Sequence, residues 1–356
     1  MTYFIFLITL FTWPFGQLLS FNLFGFPFST YLLDILVFLL FLSELRPKLL
    51  CKYFQDPIIK AYSVFILLSL VSFILNLNHA QDSGLLLSFF YLFRLIIYPS
   101  LYIAAKEIGN NKLKTSLFIS LSIFVTLSLG QYLLLPDMRF LKNLGFDDHY
   151  YRLIGPFYDP NFAGAIFASL ALIFVGNKKY LVSILMTVLL ALTFSRASYL
   201  CFILGLLIIL VLHKKTKLLL ILAILGFSIF LAPKPFGEGV NLWRTYSIQS
   251  RIDSWQNGLS LFAQRPILGW GYNTLRNSVG GRLSTDNTFI LLLATTGILG
   301  FVTFFLFLKT VFLQQKNSPT LAVIITIIFH SFFNNSLFFI WIFAFFWVYL
   351  GLLDKD

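Results

Sequence analysis

The chain has 356 residues, of which 58% are hydrophobic and 11% charged, and its formal net charge is +12. Soluble domains carry about 25% charged residues, so this composition excludes a soluble globular protein. Apolar runs of about 20 residues, the length that crosses a bilayer as a helix, recur from end to end. Because lipid offers the backbone no hydrogen bonds, these runs predict an all-α polytopic membrane protein with one integral membrane domain, residues 1–356.

The apolar runs predict about twelve transmembrane helices. They lie near residues 3–21, 30–43, 60–76, 84–105, 115–135, 161–175, 180–194, 197–212, 217–232, 287–308, 319–331 and 337–353. The first run lacks a preceding basic segment, so we interpret it as a span and not as a cleaved signal peptide. Most short-loop lysines and arginines fall on one side, which predicts that the N and C termini are cytoplasmic. The positive charge then reflects topology, and no nucleic acid partner is expected.

Polar residues concentrate in two long loops on the outer side, residues 136–160 and 233–286. The first loop contains Arg152 and ends at the start of a helix, Asp159-Pro160-Asn161. An aspartate directly before a proline predicts an N-cap with proline in the first helical turn. Arg152 is then either an interfacial arginine beside a capped helix or one side of an anion site.

The turn that contains Ser195 and Arg196 joins two predicted spans through almost no loop. One interpretation of Arg196 is a side chain that extends to the lipid headgroups. The other is anion binding, because Arg196 stands at the N-terminal end of a helix whose free N–H groups point outward.

The second long loop predicts an amphipathic helix near residues 244–264. Its apolar residues fall within an arc of about 80° at 100° per residue: Ile248, Ile252, Trp255, Leu259 and Phe262. Arg244 and Arg251 flank this stripe, which fits a helix on the membrane surface and equally a scaffold helix packed on the bundle. The loop continues through Arg265 and a glycine-rich turn to Asp286, whose position alone predicts the cap of the next helix.

The helices that begin near residues 162, 197 and 287 all run inward, so their positive dipole ends face outward together. Arginines beside these ends form a site for a doubly charged phosphate ligand, since a guanidinium offers a planar fork to phosphate oxygens. Asp286 and Asp159 are the nearest outer carboxylates. Beside arginines they stay ionised at neutral pH and can accept a proton from a sugar hydroxyl.

Other chemistry is not indicated by the sequence. Cys51 and Cys201 are separated by the predicted topology, which implies neither a disulfide nor a metal site. No phosphate-binding glycine loop of the nucleotide-dependent pumps is present.

Several motifs resemble the O-antigen polymerase and ligase superfamily over roughly residues 117–310. They are Arg152-x-x-Gly155 with Pro160-Asn161, Ser195-Arg196, Arg251-x-x-x-Trp255, Arg265-Pro266-x-x-Gly269-x-Gly271, and Asn287 with Gly297-x-x-Gly300. The resemblance implies a GT-C-like membrane glycosyltransferase on the outer face of the cytoplasmic (inner) membrane, with no cofactor and no metal. Its substrate would be an oligosaccharide on undecaprenyl pyrophosphate. Its partners would be the lipid bilayer, a chain-length regulator and a flippase.

The resemblance also implies roles for individual residues. Arg152 and Arg196 would hold the donor pyrophosphate and act in catalysis. The expected substrate-binding residues further include Arg244, Arg251, Arg265, Asn161, Asn287 and Asp159. Ligases of the superfamily usually have His-Asn where this chain has Asp286-Asn287, and the difference favours a polymerase. The difference leaves three possibilities for the general base: Asp286, Asp159, or no base at all. His149 reaches the site only if the first loop folds over it.

Three functions therefore stay open beside a purely structural membrane scaffold, and a repeat-unit polymerase is preferred. The second is a ligase that uses lipid A core, protein or another acceptor, and the third is a flippase or other secondary transporter. Transporters place coupling charges near the middle of the membrane, where this chain has almost only Arg94. Arg94 either lines a groove for the lipid carrier or pairs with a structural partner. Outer arginines and a long outer loop favour the enzyme.

Overall fold

The computed structural model describes residues 1–21, 29–45, 53–79, 82–108, 110–213, 218–235, 237–277, 285–315 and 318–353. The α-helices within these ranges are numbered here in chain order. They are α1 (Thr2–Thr12), α2 (Leu32–Glu44), α3 (Pro57–Leu75), α4 (Asp82–Ile97), α5 (Ser100–Glu107), α6 (Asn110–Leu134), α7 (Pro160–Gly176), α8 (Tyr180–Leu192), α9 (Arg196–His213), α10 (Leu219–Leu231), α11 (Tyr246–Gln264), α12 (Thr288–Gln314), α13 (Ser318–His330) and α14 (Ile340–Leu353).

Many of these helices are suited to a membrane. In the described part of the chain, six segments are long and apolar enough to cross one: Thr2–Leu19, Pro57–Leu75, Leu85–Glu107, Asn111–Leu134, Arg196–His213 and Thr288–Gln314. Shorter apolar helices accompany them: Pro160–Gly176, Tyr180–Leu192, Leu219–Leu231, Pro319–His330 and Ile340–Leu352. The fold is therefore an all-α bundle of the polytopic membrane class. The count of twelve spans and the cytoplasmic termini stay predictions, and several loop lysines behind the orientation, together with Cys51, lie outside the described residues.

The first predicted span is less regular than its hydropathy indicates. After α1 the chain continues as a 3₁₀-helix, Trp13–Leu19, which contains a break at Gly16 with φ 53°. A Cβ at Gly16 would collide with the carbonyl of Pro156, so only glycine permits this approach. Beyond it, Ser20–Phe21 pairs antiparallel with Thr30–Tyr31 as a two-stranded sheet. The N-terminal helix is thereby fixed against the loop that precedes α7.

Helix α7 lies at the centre of the bundle and is buried along most of its length. Its small side chains let α8, α9 and α13 pack closely, as is common in membrane helices. At Gly164 an added Cβ would lie 2.6 Å from the hydroxyl of Ser198, so α7 and α9 are in direct contact near their N-terminal ends. These ends carry several of the residues expected in the site.

Helix α12 packs antiparallel to α3 and is interrupted at Gly297, where φ is 66°. Residues 266–270 run across the interruption, and the N–H of Trp270 donates to the carbonyl of Ala294 at 3.0 Å. A Cβ at Gly297 would collide with the carbonyl of Ile267. The glycine-rich turn of the long loop and the glycines of α12 are therefore packing elements that fasten the loop to the bundle.

The buried arginine Arg94 has a structural partner. Its guanidinium forms a two-point ion pair with Asp34, at 2.9 Å from Nε and 2.6 Å from Nη2. The hydroxyl of Tyr98 donates to the same carboxylate at 2.9 Å. Because a buried charge is tolerated when paired and hydrogen-bonded, this arrangement accounts for Arg94 without a lipid carrier. Of the two interpretations of Arg94, the structure supports pairing within the bundle.

Candidate functional site

The N-terminal ends of α7, α9 and α12 meet around the C-terminal end of α13. The hydroxyl of Ser195 donates to Asn161 Oδ1 at 2.8 Å, and the hydroxyl of Ser198 donates to the Asn161 carbonyl at 3.0 Å. The N–H of Thr288 donates to the carbonyl of Ser331, directly after α13, at 2.9 Å. Three positive helix ends therefore share one end of the bundle, a suitable surround for an anion.

Two of these helix ends are capped by expected site residues. Asp159 Oδ1 accepts hydrogen bonds at 2.6 and 3.4 Å from backbone N–H groups in the first turn of α7. Asn287 Oδ1 does the same for α12, at 2.9 and 3.1 Å. The cap of α12 is therefore Asn287, and the expectation that Asp286 caps this helix is wrong. The reason is geometric, because a cap must lie directly before the first helical residue, and this helix begins at Thr288.

Arg152 and Arg244 hold the tight turn between α8 and α9. Arg152 is buried and donates to the carbonyls of Thr193 at 2.9 Å and Phe194 at 3.3 Å. Arg244 donates to the Phe194 carbonyl at 3.2 Å from the long loop. Burial, followed by the charge of Arg244, lowers the pKa of Arg152 to about 9. Both arginines are engaged with backbone oxygens, an arrangement that stabilises the turn which presents Arg196.

Arg196 reaches from the start of α9 to the segment that precedes and begins α11. Its Nη1 donates to the carbonyls of Leu242 at 3.0 Å and Arg244 at 2.9 Å. Its Nη2 donates to the hydroxyl of Ser247 at 2.7 Å. The side chain is partly exposed, in contrast to Arg152. Its guanidinium therefore lies at the surface of the site and not behind it.

Arg251, on α11, reaches across to the turn after α13. Its Nε donates to the carbonyl of Phe333 at 3.1 Å, and its charge lies within electrostatic range of Asp286, Arg196 and Asp159. We call these four residues, Asp159, Arg196, Arg251 and Asp286, the charged centre.

Within the charged centre, Asp286 and Arg251 each influence the pKa of the other. Desolvation of its carboxyl raises the pKa of Asp286 above the usual range, although the residue as a whole is exposed. The positive charge of Arg251 acts in the opposite direction. Desolvation lowers the pKa of Arg251, and Asp286 opposes that change. Asp286 is therefore a stronger base than an ordinary aspartate.

Arg265 is not brought to the charged centre. Its guanidinium stacks over the ring of Trp270 at 4.1 Å, and it donates to Asn76 at the end of α3. It follows Arg251 by fourteen residues, which is about 21 Å along a helix axis. The expectation that Arg265 binds pyrophosphate or glycan beside the other arginines is therefore not supported by its position.

His330 lies beside the site, and the sequence analysis did not identify it. It is fully buried, with Nε2 3.1 Å from the hydroxyl of Ser198 and Nδ1 2.5 Å from the hydroxyl of Ser336. The amide nitrogen of Asn334 lies 3.5 Å from Nε2 of the same imidazole. The amide oxygen of Asn334 accepts from Nη2 of Arg251 at 3.5 Å. The signal in the sequence that could have identified it is a short segment rich in polar residues, 330–336, at the end of an apolar helix.

His149 folds onto the arginines behind the turn. It is buried, and no described residue provides a hydrogen bond to its Nε2. Burial, followed by the charge of Arg152, lowers its pKa to about 3. An imidazole this weakly basic is neutral at physiological pH and is a poor candidate for a general base.

A cavity of about 330 Å³ lies between α11 and α12. Its polar wall consists of side chains from α11: Gln249, Ser250, Asp253, Ser254 and Asn257. The N–H of Asp286 donates to the hydroxyl of Ser254 at 3.1 Å, so the cavity adjoins the charged centre. Hydroxyl, amide and carboxylate groups of this kind can hydrogen-bond sugar hydroxyls.

The apolar stripe of α11 points away from the bundle. Ile248, Ile252 and Leu259 are 48%, 40% and 47% exposed. The bundle-facing side instead carries Gly258, where a Cβ would lie 2.5 Å from side-chain atoms of Thr285 and Ile290. Helix α11 is thus packed on the bundle along one face and offers an apolar face outward, as a helix at a membrane surface does.

No group of three or more histidine, cysteine, aspartate or glutamate side chains is placed to hold a metal ion among the described residues. Independence of metal and cofactor stays a prediction.

The bundle is that of an integral membrane protein, and the shared helix ends with their charged residues are its candidate site. Residues 181–305 match the family model described as O-antigen ligase. Over these residues the resemblance to the O-antigen polymerase and ligase superfamily found in the sequence is confirmed. The match includes Arg196, Arg251 and Asp286 and leaves out Arg152, Asp159 and His330. Comparison with curated proteins found no match.

Proposed function

We propose that this protein is a glycosyltransferase that joins undecaprenyl-pyrophosphate-linked oligosaccharide repeat units into a surface polysaccharide. The observation that carries the proposal is the charged centre, where Arg251 lies within electrostatic range of Asp286, Arg196 and Asp159 at the shared ends of three helices. The proposed site faces outward from the cytoplasmic membrane. A flippase would deliver the substrate to that face, and a chain-length regulator would act on the product.

Arg196 and Arg251 bind the pyrophosphate of the donor. Each guanidinium presents a planar set of donors, and phosphate oxygens are stronger acceptors than the carbonyls these arginines contact in this structure. The helix ends add positive potential. When the bond between the anomeric carbon and the phosphate oxygen breaks, negative charge collects on the departing lipid pyrophosphate. Fixed positive groups therefore stabilise the transition state.

Asp286 is the base in this proposal. The acceptor hydroxyl forms a bond to the anomeric carbon, its proton passes to the Asp286 carboxylate, and lipid pyrophosphate leaves with the electron pair. One displacement inverts the anomeric configuration. Asp159 is the weaker candidate because its carboxylate already accepts two backbone hydrogen bonds as the α7 cap.

The acceptor glycan occupies the cavity between α11 and α12. This placement puts its terminal sugar next to Asp286 through the Ser254 contact, with α11 hydrogen-bonding the ring hydroxyls.

A ligase is the second candidate, favoured by the description of the matching family model. It would use the same donor chemistry and differ in the acceptor, which would be lipid A core, protein or another glycan-bearing molecule.

The test uses purified protein in nanodiscs with an undecaprenyl-pyrophosphate-linked repeat unit, and products are separated on a gel. A ladder of lengths from wild type, absent with Arg196→Ala, supports a polymerase. A single product that requires an added acceptor makes the protein a ligase. Unchanged substrate under every condition contradicts both and favours transport.

A further inference from the structure

A second and larger cavity lies at the end of the bundle opposite the charged centre. Its volume is about 830 Å³, and parts of α6, α7, α9, α13 and α14 line it. It sits at the C-terminal ends of α7 and α9, whose N-terminal ends reach the charged centre. Helix α9 has 18 residues and therefore separates the two sites by about 27 Å. A bilayer core is about 30 Å thick, so the cavity and the charged centre lie at opposite membrane faces.

The inner wall of this cavity is apolar. It is formed by Leu117, Phe118, Leu170, Ile173 and Phe174, among others. Phe118 is 52% exposed, so the cavity opens toward the surroundings of the bundle. An open apolar groove between membrane-spanning helices is filled by hydrocarbon chains and not by water.

The mouth of the cavity is basic. Lys114, Lys178, Lys179 and His213 stand there, and no carboxylate is among the described lining residues. The turn after α7 presents the two adjacent lysines, with the N–H of Lys179 donating to the carbonyl of Phe174 at 2.8 Å. Both lysine side chains are exposed, and neither forms an ion pair with a described residue. The mouth is complementary to an anion.

We propose that this cavity binds an anionic phospholipid of the membrane leaflet on that side, with its phosphate at Lys178 and Lys179 and an acyl chain along the apolar wall. Basic pockets between membrane helices favour lipid headgroups of this kind. The apolar wall would add nothing to the binding of free phosphate, so the lipid is the occupant. The site is separate from the proposed glycosyl transfer and does not depend on it.

The test is native mass spectrometry of delipidated full-length protein, titrated with phosphatidylglycerol or phosphatidylcholine. Phosphatidylglycerol, which is anionic, is expected to bind about tenfold more tightly than phosphatidylcholine. The double variant Lys178→Gln with Lys179→Gln is expected to lose about tenfold in phosphatidylglycerol affinity, since each basic residue near an anionic headgroup contributes measurably. The matched control is Lys60→Gln with Lys309→Gln, two exposed lysines on α3 and α12 outside the cavity, and it should bind like wild type.

Two further experiments distinguish a bound phospholipid from free phosphate. Ile173→Trp, which fills the apolar part, should weaken phosphatidylglycerol although every lysine remains. Inorganic phosphate should not displace the lipid. Equal loss in the control pair, or no loss in the Lys178 and Lys179 variant, would overturn the proposal. Displacement by inorganic phosphate would reduce the site to an ion site, and displacement by equimolar undecaprenyl phosphate would assign it to the carrier lipid; either result overturns the phospholipid assignment.

Discussion

Arg152 and Arg244 donate hydrogen bonds to the same acceptor, the carbonyl oxygen of Phe194, at 3.3 and 3.2 Å. Phe194 adopts a positive φ of 50°, a conformation that a residue with a side chain adopts at a cost. The two guanidiniums hold this turn in place from the first and second long loops. We therefore propose that Arg152 acts by positioning Arg196, two residues after Phe194.

Replacing Arg152 with alanine should lower stability as well as activity. The buried carbonyl of Thr193 would lose the donor that Arg152 provides, at a cost of about 1–3 kcal/mol, and the carbonyl of Phe194 would keep only Arg244. The measurement is the apparent melting temperature in detergent, monitored by size-exclusion chromatography. An unchanged melting temperature together with lost activity would instead return Arg152 to direct pyrophosphate binding.

Arg196→Ala should abolish polymer formation while the protein stays folded in the membrane. Arg196→Lys should also fail largely, because a point charge does not replace a planar fork. The product ladder with the undecaprenyl-linked repeat unit measures both.

Ser247→Ala is the matched control for Arg196. It removes one hydrogen bond of Arg196, at 2.7 Å, and leaves the guanidinium in place. Activity within a few-fold of wild type is expected. If Ser247→Ala were as inactive as Arg196→Ala, the arginine would serve to hold the long loop; full activity of Arg196→Lys would indicate simple extension to the headgroups.

Asp286→Asn should reduce the rate by about 10²-fold or more, the usual contribution of a general base. Asp159→Asn is its control, because asparagine remains a good N-cap and only the charge is lost. The base must be ionised, so activity should fall as the pH drops through the raised pKa of Asp286. The acidic limb of the rate–pH profile is thus expected above the range of an ordinary aspartate. Loss of activity with Asp159→Asn alone would exchange the two roles.

His149 should make the protein sensitive to acid. Its pKa is about 3 in the folded state and about 6.5 when unfolded, so only the unfolded chain takes up a proton between these values. The free energy of unfolding should then fall by about 2 kcal/mol between pH 6.5 and 5. His149→Gln should flatten this part of the melting-temperature profile. Identical profiles for the two proteins would show that His149 is hydrated.

Gly297→Ala should destabilise the protein by more than about 1 kcal/mol, since φ is 66° and the new Cβ meets the carbonyl of Ile267. Gly226→Ala is the control: it lies within α10, has open space around it, and should be neutral or stabilising. The measurement is the apparent melting temperature of each variant. Equal values would mean that the interruption of α12 does not depend on glycine.

Local sequence determined the membrane-helical class and the start of α7. Apolar runs can only be helices in lipid, and a cap depends on residues within one turn, so both follow from neighbours along the chain. The Asp159-Pro160 start is found where that pattern indicated it. The same reasoning misplaced the α12 cap by one residue, because Asp286 and Asn287 are both good caps and local preference does not choose between them.

Only the tertiary structure decided which polar residues meet. Asp34 and Arg94 are 60 residues apart, and Ser198 and His330 are 132 apart. Packing of distant helices creates these contacts, and no local pattern records them. The same packing directed Arg265 away to Asn76 and engaged Arg152 with backbone carbonyls. An arginine in a sequence shows that a charge must be satisfied; the arrangement of the helices determines whether a ligand or the protein's own backbone satisfies it.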